Sequence, residues 1–157
     1  MHTTAEPELS RQERVDLAFS RRFRRVPPKL NRLLIRVSRG RVGVRKRGIP
    51  IGLLTTTGRR SGEPRTVPVM YLRDDDRFFV VASNGGFDSP PDWLRNLDET
   101  PDARFEVDGE QRLVRGRILA GDEKDEWWPA LVAHNPLWAA YQRYTDRDIA
   151  VVSLEPR

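Results

Sequence analysis

Arg59, Arg60 and Ser61 sit between Gly58 and Gly62, and Arg65 follows shortly after. Guanidiniums, a hydroxyl and the free backbone N–H groups of a glycine-bounded turn suit a phosphate or a carboxylate. The β-branched runs on either side, Thr55-Thr56-Thr57 and Thr66-Val67-Pro68-Val69, have strand composition. The turn therefore reads as the tip of a hairpin, with the cations and the hydroxyl converging there. A tip of this composition can equally be a solvated, charged surface turn.

A second segment bears on the same question. The apolar run Phe78-Phe79-Val80-Val81 passes into Ala82-Ser83-Asn84-Gly85-Gly86. A strand that ends in small residues and two glycines exposes backbone N–H groups and lets a flat ligand approach the main chain closely. Pro91 then stands near the first turn of a short helix, with Ser89 or Asp92 available to cap it. Trp93 and Asn96 fall three apart on one face of that helix. Each residue also has a plainer reading: Trp93 as a core anchor, Ser83 and Asn84 as turn formers.

The elements that must position these groups follow from pattern. Residues 51–57, 65–72 and 77–82 read as three antiparallel strands, with Asp74-Asp75-Asp76 in the second turn. Asp108-Gly109 between residues 104–107 and 111–119 marks a further hairpin. Residues 122–134 open with acids and carry Trp127, Leu131 and Val132, a helix pattern. Pro136 starts another helix with Trp138, Tyr141 and Tyr144, and residues 149–154 form a last strand. Antiparallel strands with interspersed helices indicate an α+β fold, closed or partly closed into a barrel.

The amino terminus differs in kind. Residues 11–47 hold fourteen basic and two acidic residues, +12 in a chain of net charge +5. Val15, Phe19, Phe23 and Val26 follow helical spacing, Pro27-Pro28 interrupts it, and Leu30, Leu33, Leu34 and Val37 suggest a second short helix before Gly40. A basic amphipathic helix can pack its stripe on a barrel, lie on an anionic membrane, or meet nucleic acid. No zinc-finger, helix-turn-helix or RNA-binding signature supports the last, and no nucleic acid is expected. The chain divides into a basic helical extension, residues 1–46, and a barrel domain, residues 47–157; only residues 1 to about 10 look disordered. With no cysteine and two histidines, His2 and His134, no disulfide frame and no metal centre are expected. No window has the character of a secretory leader or a membrane span, so the expected location is the cytoplasm, with the basic helix suited to the anionic inner face of the plasma membrane.

Taken together, residues 47–156 resemble the deazaflavin-dependent nitroreductase family, whose members bind coenzyme F420. The matching pieces are Thr55-Thr56-Thr57-Gly58-Arg59-Arg60-Ser61-Gly62, Arg65 and Pro68, residues 82–86, and Trp93-Leu94-Arg95-Asn96-Leu97. Trp127-Trp128-Pro129, Asn135-Pro136, Tyr141-Gln142 and residues 149–156 extend the match. The resemblance implies a split β-barrel similar to the FMN-binding, pyridoxamine-oxidase group, with helices at both ends. It implies reduced F420 as hydride donor through C5 of the deazaflavin, to a small acceptor such as a quinone or nitro compound. FMN is the alternative cofactor.

By that pattern Arg59, Arg60, Ser61 and Arg65 hold the phosphate and acidic tail. Thr66, Val67, Pro68, Val69 and Met70 would line the ring site, with Val81, Ala82, Ser83 and Asn84, and with Asp92, Trp93, Leu94, Arg95 and Asn96. Trp138 would line the cofactor or acceptor pocket. The Tyr141 hydroxyl is the candidate catalytic group, able to orient or protonate a reduced acceptor, though Tyr is also an ordinary helix-packing residue. The chain departs from the pattern at Asn84, where lysine is common, at Arg60, which replaces a frequent lysine, and at Met70 and Trp138, where some members carry tyrosine. An F420-binding protein without turnover, and a basic membrane or nucleic-acid module on a passive barrel, are the alternatives to an enzyme. The oligomeric state stays open.

Overall fold

The computed structural model describes residues 45–46 and 48–157. The expected basic extension, residues 1–46, and the helices expected in it lie outside the described residues, save for Arg45 and Lys46.

The strands are β1 (Arg45–Lys46), β2 (Ile49–Thr57), β3 (Pro64–Asp74), β4 (Arg77–Val81), β5 (Asp102–Val107), β6 (Glu110–Ile118) and β7 (Val151–Pro156). The helices are α1 (Asp92–Glu99), α2 (Gly121–His134) and α3 (Leu137–Gln142), with a single 3-10 turn at Asn84–Gly86. The sheet runs β1-β2-β3-β4-β7-β6-β5, and β2 also pairs with β5. Six antiparallel strands thus close into the expected split β-barrel. Closure rests on Leu53 opposite Glu106, Leu54 opposite Phe105 and Thr55 opposite Arg104.

Alternation along the strands explains the two cores. Leu54, Tyr71, Phe78, Val80, Phe105, Val152 and Leu154 fill the barrel. Tyr71, Phe78 and Phe105 meet edge to face, with centroids 5.1–5.5 Å apart. Phe79, Val81, Ile149 and Val151 pack outward under α2 and α3 with Leu131, Trp138 and Tyr141. Because β4 is covered on both faces, its sequence is continuously apolar rather than alternating. At Gly52 a Cβ would lie 2.4 Å from the Phe105 ring, so only glycine admits that ring.

The Asp108-Gly109 hairpin forms as expected, with φ of +54° and +83° at its two turn residues. The capping of α1 differs from expectation. Pro91 is the N-cap and no side chain caps the helix. Asp92 is instead the first helical residue, and its carboxylate accepts from Arg59. No helix among the described residues is long and apolar enough to cross a membrane.

Candidate functional site

An open cleft of about 780 Å³ lies between β3, the loop after β4, the start of α1, and α3. Val67, Pro68, Val69 and Met70 of β3 form one wall, and Trp138 of α3 another. Val81, Ser83, Asn84, Gly85 and Phe87 border it from the β4 side, and Ser89 through Trp93 with Arg95 complete it. The cleft is thus a slot walled largely by apolar side chains, with polar backbone at one rim.

The loop at that rim is held open by glycine-like backbone. Ser83 is right-handed helical, while Asn84, Gly85 and Gly86 have φ of +46°, +66° and +79°. A Cβ on Gly86 would come within 3.1 Å of the Tyr141 carbonyl and the Tyr144 side chain. The Asn84 amide nitrogen donates to the Ser89 carbonyl at 2.8 Å, tying the loop to the approach to α1.

The hairpin tip is a tight backbone knot. Gly58 N–H donates to the Glu63 carbonyl at 2.8 Å, and Gly62 N–H donates back to the Gly58 carbonyl at 2.7 Å. Gly62 takes φ +70°. The expected convergence of its cations is only partial. Arg59 turns away to α1, donating to the Asn96 side-chain oxygen at 3.2 Å and to Asp92 at 3.0 Å. Arg60, Ser61 and Arg65 remain exposed, with the Arg65 guanidinium donating to the Ser61 hydroxyl at 3.2 Å. The tip cation set available to an anion is therefore Arg60 and Arg65.

Other expected site residues also act from behind the cleft. Asn96 is buried and donates to the Thr56 hydroxyl at 3.0 Å, so it bolts α1 to β2. Leu94 and Ala82 pack with the barrel core, and the Thr66 hydroxyl pairs with that of Thr55 at 2.8 Å. Tyr141 is buried in the outer core cluster and does not line the cleft. None of these five side chains is a wall of the slot, whereas Trp93 is, despite being buried.

Two contributors were not among the expected site residues, although Asn135 belongs to the Asn135-Pro136 piece of the resemblance. Arg147, between α3 and β7, donates Nε to the Phe87 carbonyl at 2.8 Å and Nη2 to the carbonyls of Ala82 and Ser83 at 2.9 and 2.8 Å. Burial pulls its guanidinium below the ordinary value, and Asp88 opposes that shift. Asn135, fully buried, directs its amide nitrogen at the Met70 sulfur, 3.6 Å away, and so fixes one wall. Both contacts join residues about sixty apart, which no spacing rule reaches.

A family model described as F420H(2)-dependent quinone reductase matches residues 29–156. The chain belongs to that family. An F420H(2)-dependent quinone reductase of Mycobacterium tuberculosis (strain CDC 1551 / Oshkosh) is 34% identical over 133 residues, 82% of this chain and 89% of the relative. A putative member from M. tuberculosis H37Rv is 33% identical over 112 residues, 71% of this chain and 94% of the relative. Among solved structures, an F420-H2 dependent reductase (FDR-A) superposes with a TM-score of 0.63 at 36% identity, covering 68% of this chain and 94% of that one. A chain described as a domain-swapped dimer gives 0.65 at 34% identity, covering 81% and 94%. The match of quinone reductases extends the resemblance to deazaflavin nitroreductases and directs it toward quinones.

Proposed function

We propose that this chain is an F420H2-dependent oxidoreductase whose acceptor is a quinone. The family is one of F420H2-dependent quinone reductases, and reduced F420 is its hydride donor. The observation that carries the reading is the slot itself. A planar tricyclic ring needs apolar walls on its faces and polar groups at its edge; residues Val67–Met70, Trp93 and Trp138 supply the first, and the loop at residues 83–87 the second. Arg60 and Arg65 at the tip suit a phosphate and carboxylate tail, and Arg95 at the border adds a third cation.

When bound, the deazaflavin supplies a hydride from C5 of its reduced ring. The protein's part is to hold ring and acceptor in register. Trp138 and Met70 wall the slot with apolar surface, and the Asn135 contact fixes the Met70 side chain. An apolar wall of this kind favours a flat, lipophilic acceptor over a charged one. Tyr141 is assigned to packing rather than to proton transfer, because its side chain sits in the outer core.

The test is a fluorescence titration of the purified full chain with F420, beside FMN, followed by oxidation of F420H2 with a quinone and with a nitro compound. Tighter binding of F420 than FMN, and turnover with the quinone, are expected. Binding without turnover by either acceptor would make it a carrier of F420.

The place of action is part of the same proposal: the cytoplasm, at the anionic inner face of the plasma membrane. Its support is the stripe Val15, Phe19, Phe23 and Val26 edged by arginines, together with a lipophilic acceptor. Co-sedimentation with anionic vesicles, weakened by salt and lost in a chain beginning at Lys29, is the expected result; equal behaviour of the two chains would overturn it.

A further inference from the structure

The carbonyls of Ala82, Ser83 and Phe87 all point at one guanidinium, that of Arg147. Every peptide bond among the described residues is trans. In a trans peptide the N–H points opposite to the carbonyl of the same plane. With the Ala82 and Ser83 carbonyls turned toward Arg147, the N–H groups of Ser83 and Asn84 are turned away from it. Arg147 does not line the cleft, whereas Ser83 and Asn84 do. The backbone passes there from right-handed at Ser83 to left-handed at Asn84, the succession that gathers neighbouring N–H groups on one concave side. No hydrogen bond among the described residues uses either N–H.

Resting on the deazaflavin reading above, we infer that Arg147 is a positioning residue: by gripping three loop carbonyls from behind, it presents the Ser83 and Asn84 N–H groups to oxygen and nitrogen acceptors on the edge of the bound ring. The rest of its segment supports the grip. Arg147 N–H donates to the Thr145 hydroxyl at 3.3 Å, and that hydroxyl donates to Asp88 at 3.0 Å. Gln142 donates to the Arg147 carbonyl at 2.8 Å and accepts from Ile149 N–H at 2.9 Å. The planar fork reaches carbonyls at both ends of the loop, which a lysine ammonium does not reproduce.

The test separates the ring end of the ligand from its tail. F420 and the deazaflavin chromophore lacking phosphate and glutamates are titrated into the parent, Arg147→Ala and Arg147→Lys, each checked by a melting curve. Arg147→Ala is expected to weaken both ligands by the same factor, about tenfold or more, and Arg147→Lys by less. Arg65→Ala, in contrast, should weaken F420 and leave the chromophore unchanged. In the parent, the amide ¹H–¹⁵N resonances of Ser83 and Asn84 should shift with the chromophore, and that shift should be lost in Arg147→Ala and reduced in Arg147→Lys. If Arg147→Ala does not fold, Arg147→Lys decides by the same readings. Unchanged chromophore binding in a folded variant, or ligand shifts that bypass Ser83 and Asn84, would overturn the role of Arg147. A parent that binds FMN and neither deazaflavin would overturn the cofactor assignment instead, and the same two amides followed with FMN would then judge Arg147.

Discussion

Asn96 holds Arg59 twice: its side-chain oxygen accepts from the Arg59 backbone N–H and from the Arg59 guanidinium, each at 3.2 Å. With its amide nitrogen on Thr56, this one buried side chain joins the hairpin tip, α1 and β2. Arg59 is thereby tied to α1 through both its backbone and its guanidinium.

Asn96→Ala should therefore act on stability first. It strands the buried Thr56 hydroxyl and frees the tip, a loss of about 1–3 kcal/mol. Chemical denaturation reads this directly. Asn96→Asp keeps both acceptor contacts to Arg59, and the Thr56 hydroxyl can turn to donate, so most of the stability should return.

Arg60→Ala and Arg65→Ala should leave the melting temperature near that of the parent, since both side chains are exposed. Each should weaken F420 binding by about 1–3 kcal/mol, most clearly at low salt. Asp92→Asn should do the reverse. Its carboxylate is 80% exposed, borders the cleft, and repels an incoming anion. Titration at two salt concentrations should show tighter F420 binding by about 0.2–1 kcal/mol, fading as salt rises.

Tyr141→Phe tests the packing assignment. Turnover with a quinone should survive with its pH profile unchanged. A fall of about a hundredfold or more, the scale of a lost general acid, in a protein that melts like the parent would return the hydroxyl to the chemistry.

The pH dependence of stability should report the surface cluster of Arg117, Glu123 and Glu155. Arg117 donates to Glu123 at 2.6 and 2.8 Å and to Glu155 at 3.0–3.1 Å. Those bonds hold the Glu123 carboxyl below its ordinary value. A carboxylate whose folded-state value is depressed stabilises above its unfolded value and loses that contribution as pH falls through the folded one. Denaturant midpoints measured from neutral pH into the acid range should therefore fall less steeply for Glu123→Gln than for the parent. Identical slopes would mean that the cluster is solvated in solution.

Local chemistry made much of this molecule legible. Asp108-Gly109 fixes a hairpin because two residues in succession need positive φ, and Phe78-Phe79-Val80-Val81, a short aromatic and β-branched run after a turn, reads as a strand and is one. Val67, Pro68, Val69 and Met70 were legible only through the family resemblance, and all four border the cleft. The partners of Arg59 could not be read that way. Nothing in Gly58-Arg59-Arg60-Ser61 tells which guanidinium meets a helix far along the chain and which meets water. Arg147 was hidden for the same reason: its bonds go to backbone carbonyls, which every residue possesses, so no residue type at positions 82, 83 or 87 advertises them. Tyr141 shows the converse, a residue of suggestive chemistry that the packing of α3 turns into the core.

The order of the strands sets how this barrel must come together. β2, β3 and β4 form one meander and β5 with β6 one hairpin, while β7 lies between β4 and β6 and pairs with both. Until β7 arrives, the strand pairing that joins the two pieces among the described residues is the three-residue contact of β2 with β5. The chain therefore has to close long loops before its barrel is complete, and nonlocal pairing of that sort slows folding. Arg147 lies four residues ahead of the start of β7, so the grip on the loop at residues 82–87 is expected to form as that strand docks. Ligand binding should thus be the last property to appear during refolding, with the rate of barrel closure as its ceiling.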